Sequence, residues 1–199
     1  MRTLDQINFK DQRAVIRVDF NVPLNEKLEV TDPTRIQAAQ PTIQHILAQG
    51  GSCVLISHLG RPKAKDPKLS LGNITNTVAE ILGVPVSFSE HCVGSEAEAL
   101  TAALPAGGVL LMENLRFHEE ETKGDLTFAE QLSNLGTVYV NDAFGTAHRA
   151  HASTTIMAQF FEKKCFGKLL EKEVLAIEKV MSNGEAPILA ILGGAKVSS

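Results

Sequence analysis

Short apolar runs rich in β-branched residues alternate along this chain with longer segments of helical period, and that alternation admits few folds. Apolar runs bounded by turn residues suit strands buried on both faces, and a helix between two of them carries the chain to the next parallel strand. The strand candidates are 14–18, 53–57, 85–88, 109–112, 138–140 and 188–192. Helices are expected over 36–48, 71–82 and 126–135, ending at Gly50-Gly51, Gly83 and Gly136, where glycine can take the left-handed conformation that closes a helix. Asp32 and Pro33 offer the first helix a cap and a first-turn proline, while Pro41 must kink it or mark its true start. The expected class is α/β, a Rossmann-like doubly wound parallel sheet with helices on both faces.

Residues 168–181 read as a charge-interleaved amphipathic helix with Leu169, Leu170, Val174, Ile177 and Val180 in one stripe. The run from Ala186 to Gly194 then reads as a new buried strand and a glycine turn, with five residues left. The expected organisation is a first domain over 1–167, a hinge helix over 168–184, and, over 185–199, the first strand and Gly-Gly-Ala-Lys turn of a second domain whose remainder is absent.

Composition narrows the function classes. With 19 Lys and Arg against 23 Asp and Glu the net charge is −4, the wrong sign for a general nucleic-acid binder, so an anionic ligand needs a local cluster of cations. Three cysteines without a Cys-x-x-Cys pair suggest neither a disulfide framework nor a zinc ribbon, and Cys53 reads as a small core residue. The start has no apolar signal core, and the longest apolar stretch, near 186–192, is too short to span a bilayer. A soluble, cytoplasmic protein is expected.

Ligands of open parallel sheets bind outside the carboxyl ends of the strands, so the residues after each run are the informative ones. The first run exits into Asp19-Phe20-Asn21, the second into His58-Leu59-Gly60-Arg61, the fourth into Glu113-Asn114-Leu115-Arg116, and the fifth into Asn141-Asp142-Ala143 with Arg149 soon after. Arg35 opens the first helix on the same side. Four guanidiniums around one crevice suit a small polyanion, because the planar fork donates paired hydrogen bonds to phosphate or carboxylate and keeps its charge. The plainer alternative is surface arginines, two of them paired with Glu113 and Asp142. His148 and His151 lack a third ligand and are expected beside phosphate or in a structural role, not on a metal; Glu119-Glu120-Glu121 reads as a solvated acidic turn. No G-x-G-x-x-G follows the first strand, which argues against a nicotinamide oxidoreductase, and Gly193-Gly194-Ala195-Lys196 is not a Walker A loop, although its glycines and lysine could meet a phosphate.

The stretches from Val15 to Leu24, Ser57 to Pro62, Glu113 to Phe117, Asn141 to His151 and Leu192 to Val197 closely resemble phosphoglycerate kinase, in consistent order from end to end. The resemblance implies a two-lobed, monomeric, hinge-bending glycolytic kinase that moves a phosphoryl group reversibly between 1,3-bisphosphoglycerate and Mg-ADP, giving 3-phosphoglycerate and Mg-ATP. It implies that the first lobe holds the glycerate through Asp19, Phe20, Asn21, Arg35, His58, Leu59, Gly60, Arg61, Arg116 and Arg149. Asp19 and Asn21 would orient the hydroxyl and carboxylate end, Arg61, Arg116 and Arg149 would grip the distal phosphate, and His58 would add a donor. Arg35 would face the reacting carboxyl group, Gly193 and Gly194 would offer backbone donors near the transferring group, and Lys196 would reach the nucleotide phosphates. The family's second lysine, two intervening residues beyond Gly-Gly-Ala-Lys-Val, would come just after Ser199, so the expected fragment is incomplete for turnover. A non-catalytic anion-binding module is the alternative.

Overall fold

A computed structural model describes residues 2–183. It contains strands β1 (Arg13–Val18), β2 (Ser52–Ile56), β3 (Val86–Ser89), β4 (Val109–Met112), β5 (Val138–Asp142) and β6 (Lys164–Phe166). The helices are α1 (Thr34–Ala48), α2 (Thr75–Leu82), α3 (Ser95–Ala102), α4 (Glu119–Lys123), α5 (Leu126–Ser133) and α6 (Lys168–Asn183). All six strands are parallel, in the order β3-β4-β2-β1-β5-β6.

Side chains alternate across a strand, and here both faces are covered. Ala14, Ile16 and Val18 of β1 pack with Ile36, Ile43 and Ile46 of α1 and Val78 of α2, whereas Val15 packs on the opposite face with Ala129 and Leu132 of α5. That two-sided burial is why the middles of β1, β2, β4 and β5 read as apolar runs, with Arg17, Asn141 and Asp142 near the carboxyl ends of β1 and β5. The sheet is therefore the doubly wound α/β arrangement expected from the sequence. The expected strand at 188–192, and with it Gly193, Gly194 and Lys196, lies outside the described residues.

Several boundaries differ. Helix α1 begins at Thr34, one residue past Pro33, with the Asp32 carboxylate accepting the Thr34 N–H at 3.0 Å, and it runs through Pro41 without a break. The expected helix over 71–82 divides into a 3-10 turn, Leu71–Ile74, and α2, since Gly72 and Asn73 are poor helix formers. Gly83 does close α2 in the left-handed conformation, at φ 72°. Gly136 does not close α5, which ends at Ser133; a Cβ there would meet the Arg13 carbonyl at 2.6 Å, so this glycine answers a close approach to β1.

Helix α6 is tied to the sheet at its first turn. Asp142, at the end of β5, accepts the Leu169 and Leu170 N–H groups at 3.0 and 3.2 Å, and Thr42 of α1 accepts that of Lys168 at 2.9 Å. Burial raises the Asp142 carboxyl to about 6, and its Oδ2 is buried with no hydrogen-bond partner among the described residues.

Candidate functional site

Strand register brings the polar exits to one level. Arg17 pairs in register with Ile56 of β2 and with Asn141 of β5, so Asp19, His58 and the turn Phe144–Thr146 all leave the sheet on the same side. The chain runs from β1 to one neighbour through α1 and reaches the other, β5, from β4, which makes β1 the topological switch point where such folds hold their ligands. Asp19, Asn21, Arg35, His58, Gly60, Arg61, Arg116, Gly145, Thr146 and Arg149 line a crevice of about 400 Å³ there. The four arginines expected to converge do converge.

Their surroundings differ. Arg35, half-exposed, is ion-paired with Asp19. Arg116 donates from Nη1 to the Gly60 carbonyl at 2.5 Å, and its proton affinity is lowered by burial and then by Arg149, Arg17 and Arg61. Glu113 and Asp142 do not neutralise the cluster. Glu113 accepts from Leu71 N, Asn114 N and Ser70 Oγ at 2.7–2.9 Å, and Asp142 is committed to α6. Arg61, Arg116 and Arg149 also border an adjoining cavity of about 400 Å³ shared with Lys63, His118 and His151.

Not every anticipated residue faces the crevice. Phe20 and Leu59 are fully buried core side chains, and they contribute by anchoring their neighbours: Phe20 N–H donates to Ser57 Oγ at 2.8 Å and Leu59 N–H to Asn114 Oδ1 at 3.2 Å. Gly60 lines the site, but its N–H is taken by Asn21 Oδ1 at 2.8 Å and its carbonyl by Arg116. Glu121 is 1% exposed, contrary to the expected solvated turn, because α4 turns it inward toward Ser153 while Glu119 and Glu120 stay in solvent.

Arg17 was not anticipated. Its side chain is 1% exposed and donates from Nε to Ser153 Oγ at 2.9 Å, from Nη1 to the Val18 carbonyl, and from Nη2 to His58 Nδ1 at 3.1 Å. Arginine only donates, so His58 Nδ1 accepts and a neutral ring carries its hydrogen on Nε2. Burial first, then Arg17, Arg116, Arg149 and Arg35, press the His58 imidazolium down to about 2. His58 thus stands in the crevice as a neutral donor. The signal in the sequence was a charged residue inside an apolar run, Val15-Ile16-Arg17-Val18.

Among the described residues no group of three or more His, Cys, Asp or Glu is placed to hold a metal ion, and no helix is long and apolar enough to cross a membrane. The arrangement can receive a small anion with several phosphate or carboxylate oxygens and fix its orientation by guanidinium and amide donors.

Comparison with known proteins agrees with this chemistry. The family model described as phosphoglycerate kinase matches residues 4–199. Phosphoglycerate kinase of Aquifex aeolicus is 46% identical over 198 residues, covering 100% of this chain and 50% of that protein. The cytosolic phosphoglycerate kinase of Triticum aestivum is 47% identical over 197 residues, covering 99% and 49%, and phosphoglycerate kinase 1 of Arabidopsis thaliana, a chloroplastic one, is 47% identical over 196 residues, covering 98% and 41%. The crystal structure of phosphoglycerate kinase from Pyrococcus horikoshii superimposes with a TM-score of 0.89 at 30% identity, over 98% of this chain and 49% of that one. The chain thus spans about half the length of the curated relatives it matches. A parallel sheet with an arginine-lined crevice at its switch point, matched in sequence over nearly every residue, makes this chain a member of the phosphoglycerate kinase family.

Proposed function

We propose that this chain is the glycerate-binding half of a glycolytic phosphoglycerate kinase, which transfers a phosphoryl group reversibly between 1,3-bisphosphoglycerate and Mg-ADP. The observation that carries the reading is the convergence of Arg35, Arg61, Arg116 and Arg149 with Asp19, Asn21 and His58 on one crevice. In this reading Arg61, Arg116 and Arg149 hold the distal phosphate, His58 donates to the same anion, and Asp19 and Asn21 take the hydroxyl and carboxylate end. Arg35, exchanging part of its pairing with Asp19 for substrate, faces the reacting carboxyl group and offsets its charge. Phosphoryl transfer asks the protein mainly for alignment and charge stabilisation, which a set of fixed cations supplies without a side-chain nucleophile.

Residues 1–167 would form the glycerate domain, 168–184 the hinge and 185–199 the start of the nucleotide domain, with Gly193 and Gly194 near the transferring group and Lys196 on the nucleotide phosphates. Bringing nucleotide and glycerate together by lobe closure would exclude water from the acyl phosphate. On their own these 199 residues would bind glycerate as a cytoplasmic monomer without turnover. Calorimetric titration with 3-phosphoglycerate and with inorganic phosphate tests the reading. Each charge-assisted bond adds about 1.5 to 3 kcal/mol, so 3-phosphoglycerate should bind at least tenfold more tightly than phosphate; Arg61→Ala and Arg149→Ala should weaken both anions, and Arg35→Ala should take away the advantage of 3-phosphoglycerate. Equal affinity for the two anions would leave only a generic anion-binding module.

A further inference from the structure

We infer that Glu121 and Ser153 are positioning residues of the phosphoglycerate site: through Ser153 the Glu121 carboxylate fixes the Arg17 guanidinium, and Arg17 fixes the His58 imidazole as the tautomer that donates from Nε2 into the crevice. The inference rests on reading the crevice as a phosphoglycerate site.

A guanidinium as buried as Arg17 requires compensation, since an unpaired interior charge is costly. The buried carboxylate on its side of the sheet, Glu121, reaches it through the Ser153 hydroxyl, which accepts from Arg17 Nε at 2.9 Å and donates to Glu121 Oε1 at 2.6 Å. The direction of that bridge is forced, because the guanidinium has no acceptor and the carboxylate no hydrogen to give. Ser153 N–H also donates to Glu121 Oε2 at 3.0 Å, so one residue holds both carboxylate oxygens. The Ser153 carbonyl in turn accepts the Tyr139 hydroxyl at 2.8 Å, which pins the π-helical turn Ala152–Ile156 to the sheet. Arg17 therefore has one orientation available, and in it Nη2 meets His58 Nδ1.

The consequence falls on the crevice. A freely oriented imidazole would have to reorganise when an anion enters, whereas a donor already held in place does not. Glu121 also stands 3.8 Å from Nδ1 of His151, which lines the adjoining cavity, so a single carboxylate backs His151 directly and His58 through Ser153 and Arg17.

The test uses this chain with 15N-labelled histidine. Long-range 1H–15N spectra near pH 7 read the tautomer of each ring. The expected results in Ser153→Ala and Glu121→Gln are a mixed-tautomer pattern at His58, an unchanged pattern at His45 on α1, native circular dichroism, and affinity for 3-phosphoglycerate reduced about tenfold, the worth of one charge-assisted hydrogen bond. Should Glu121→Gln fail to fold, Ser153→Ala decides alone, since it keeps both charges. A folded variant in which His58 keeps its tautomer, or in which the tautomer changes and affinity does not, overturns the inference. Failure of the underlying functional reading looks different: the wild-type chain would not bind 3-phosphoglycerate, and the His58 spectra would then decide the relay by themselves.

Discussion

Arg35 forms an ion pair with Asp19 across the mouth of the crevice, while no carboxylate among the described residues stands in ion-pair contact with Arg61, Arg116 or Arg149. Like charges gathered without counter-ions destabilise the ligand-free fold, and a bound anion reverses that cost by linkage. Inorganic phosphate should raise the melting temperature above that in chloride of equal ionic strength. The Arg61→Met/Arg149→Met double variant should melt about 1–2 °C higher without phosphate, as a few tenths of a kcal/mol would give at this size, and show little further rise with it. Identical melts in the two salts for the wild type would count against an anion site.

Asn21 fastens the exit of β1 to that of β2 by accepting the Gly60 N–H at 2.8 Å. In Asn21→Ala that amide is stranded in a partly buried position, and urea unfolding should show a loss of about 1–2 kcal/mol. Asn21→Asp retains the acceptor and should keep most of the stability, yet its carboxylate would oppose an incoming anion and weaken 3-phosphoglycerate binding. Equal stability of the alanine and aspartate variants would dispose of the tie.

Two buried groups give opposite pH dependences. Asp142 titrates at about 6 in the fold against an ordinary 3.8, so the folded state holds the extra proton and stability falls as pH rises between those values. His58 titrates at about 2 against 6.5, so the unfolded state takes the proton and stability falls as pH drops below 6.5. Each slope is about 1.4 kcal/mol per pH unit where it applies, and the two offset each other in the interval they share. His118 and His151, both lowered chiefly by burial, add to the His58 side. Denaturant titrations should therefore find Asp142→Asn more acid-labile than wild type, with its largest gain in stability near neutral pH. His58→Gln should become the more acid-tolerant variant; parallel profiles for all three proteins would refute the assignment.

The sheet was legible because burial on both faces makes the middle of each central strand apolar, as in Val15-Ile16 or Val54-Leu55-Ile56, and leaves the buried polar residues Arg17, Asn141 and Asp142 near the carboxyl ends. β6 escaped notice because three residues, Lys164-Cys165-Phe166, carry no period, and it is recognisable only by its pairing with β5. The crevice arginines could be read from their place after each strand, since parallel register alone collects them. Arg17 and Glu121 could not be paired from the sequence: 104 positions separate them, and nothing in Glu119-Glu120-Glu121 says which carboxylate turns inward. That choice is made by the Ser153 backbone, a tertiary contact.

Gly167 joins β6 to α6 at a point where the chain cannot give way. Its N–H donates to the Asn141 carbonyl at 2.8 Å and its carbonyl accepts from Glu171 at 2.9 Å, so both peptide groups are held. A Cβ there would overlap the Asp142 carboxyl group, the same group that accepts the Leu169 and Leu170 amides. Gly167→Ala should cost about 2–3 kcal/mol of overpacking strain and lost capping, with hydrogen exchange accelerated at those two amides ahead of the sheet. Because the strain needs both side chains, Asp142→Ser should recover part of the loss when combined with Gly167→Ala, a coupling that a double-mutant cycle measures. Were the two substitutions simply additive, the carboxylate would not be what Gly167 makes room for.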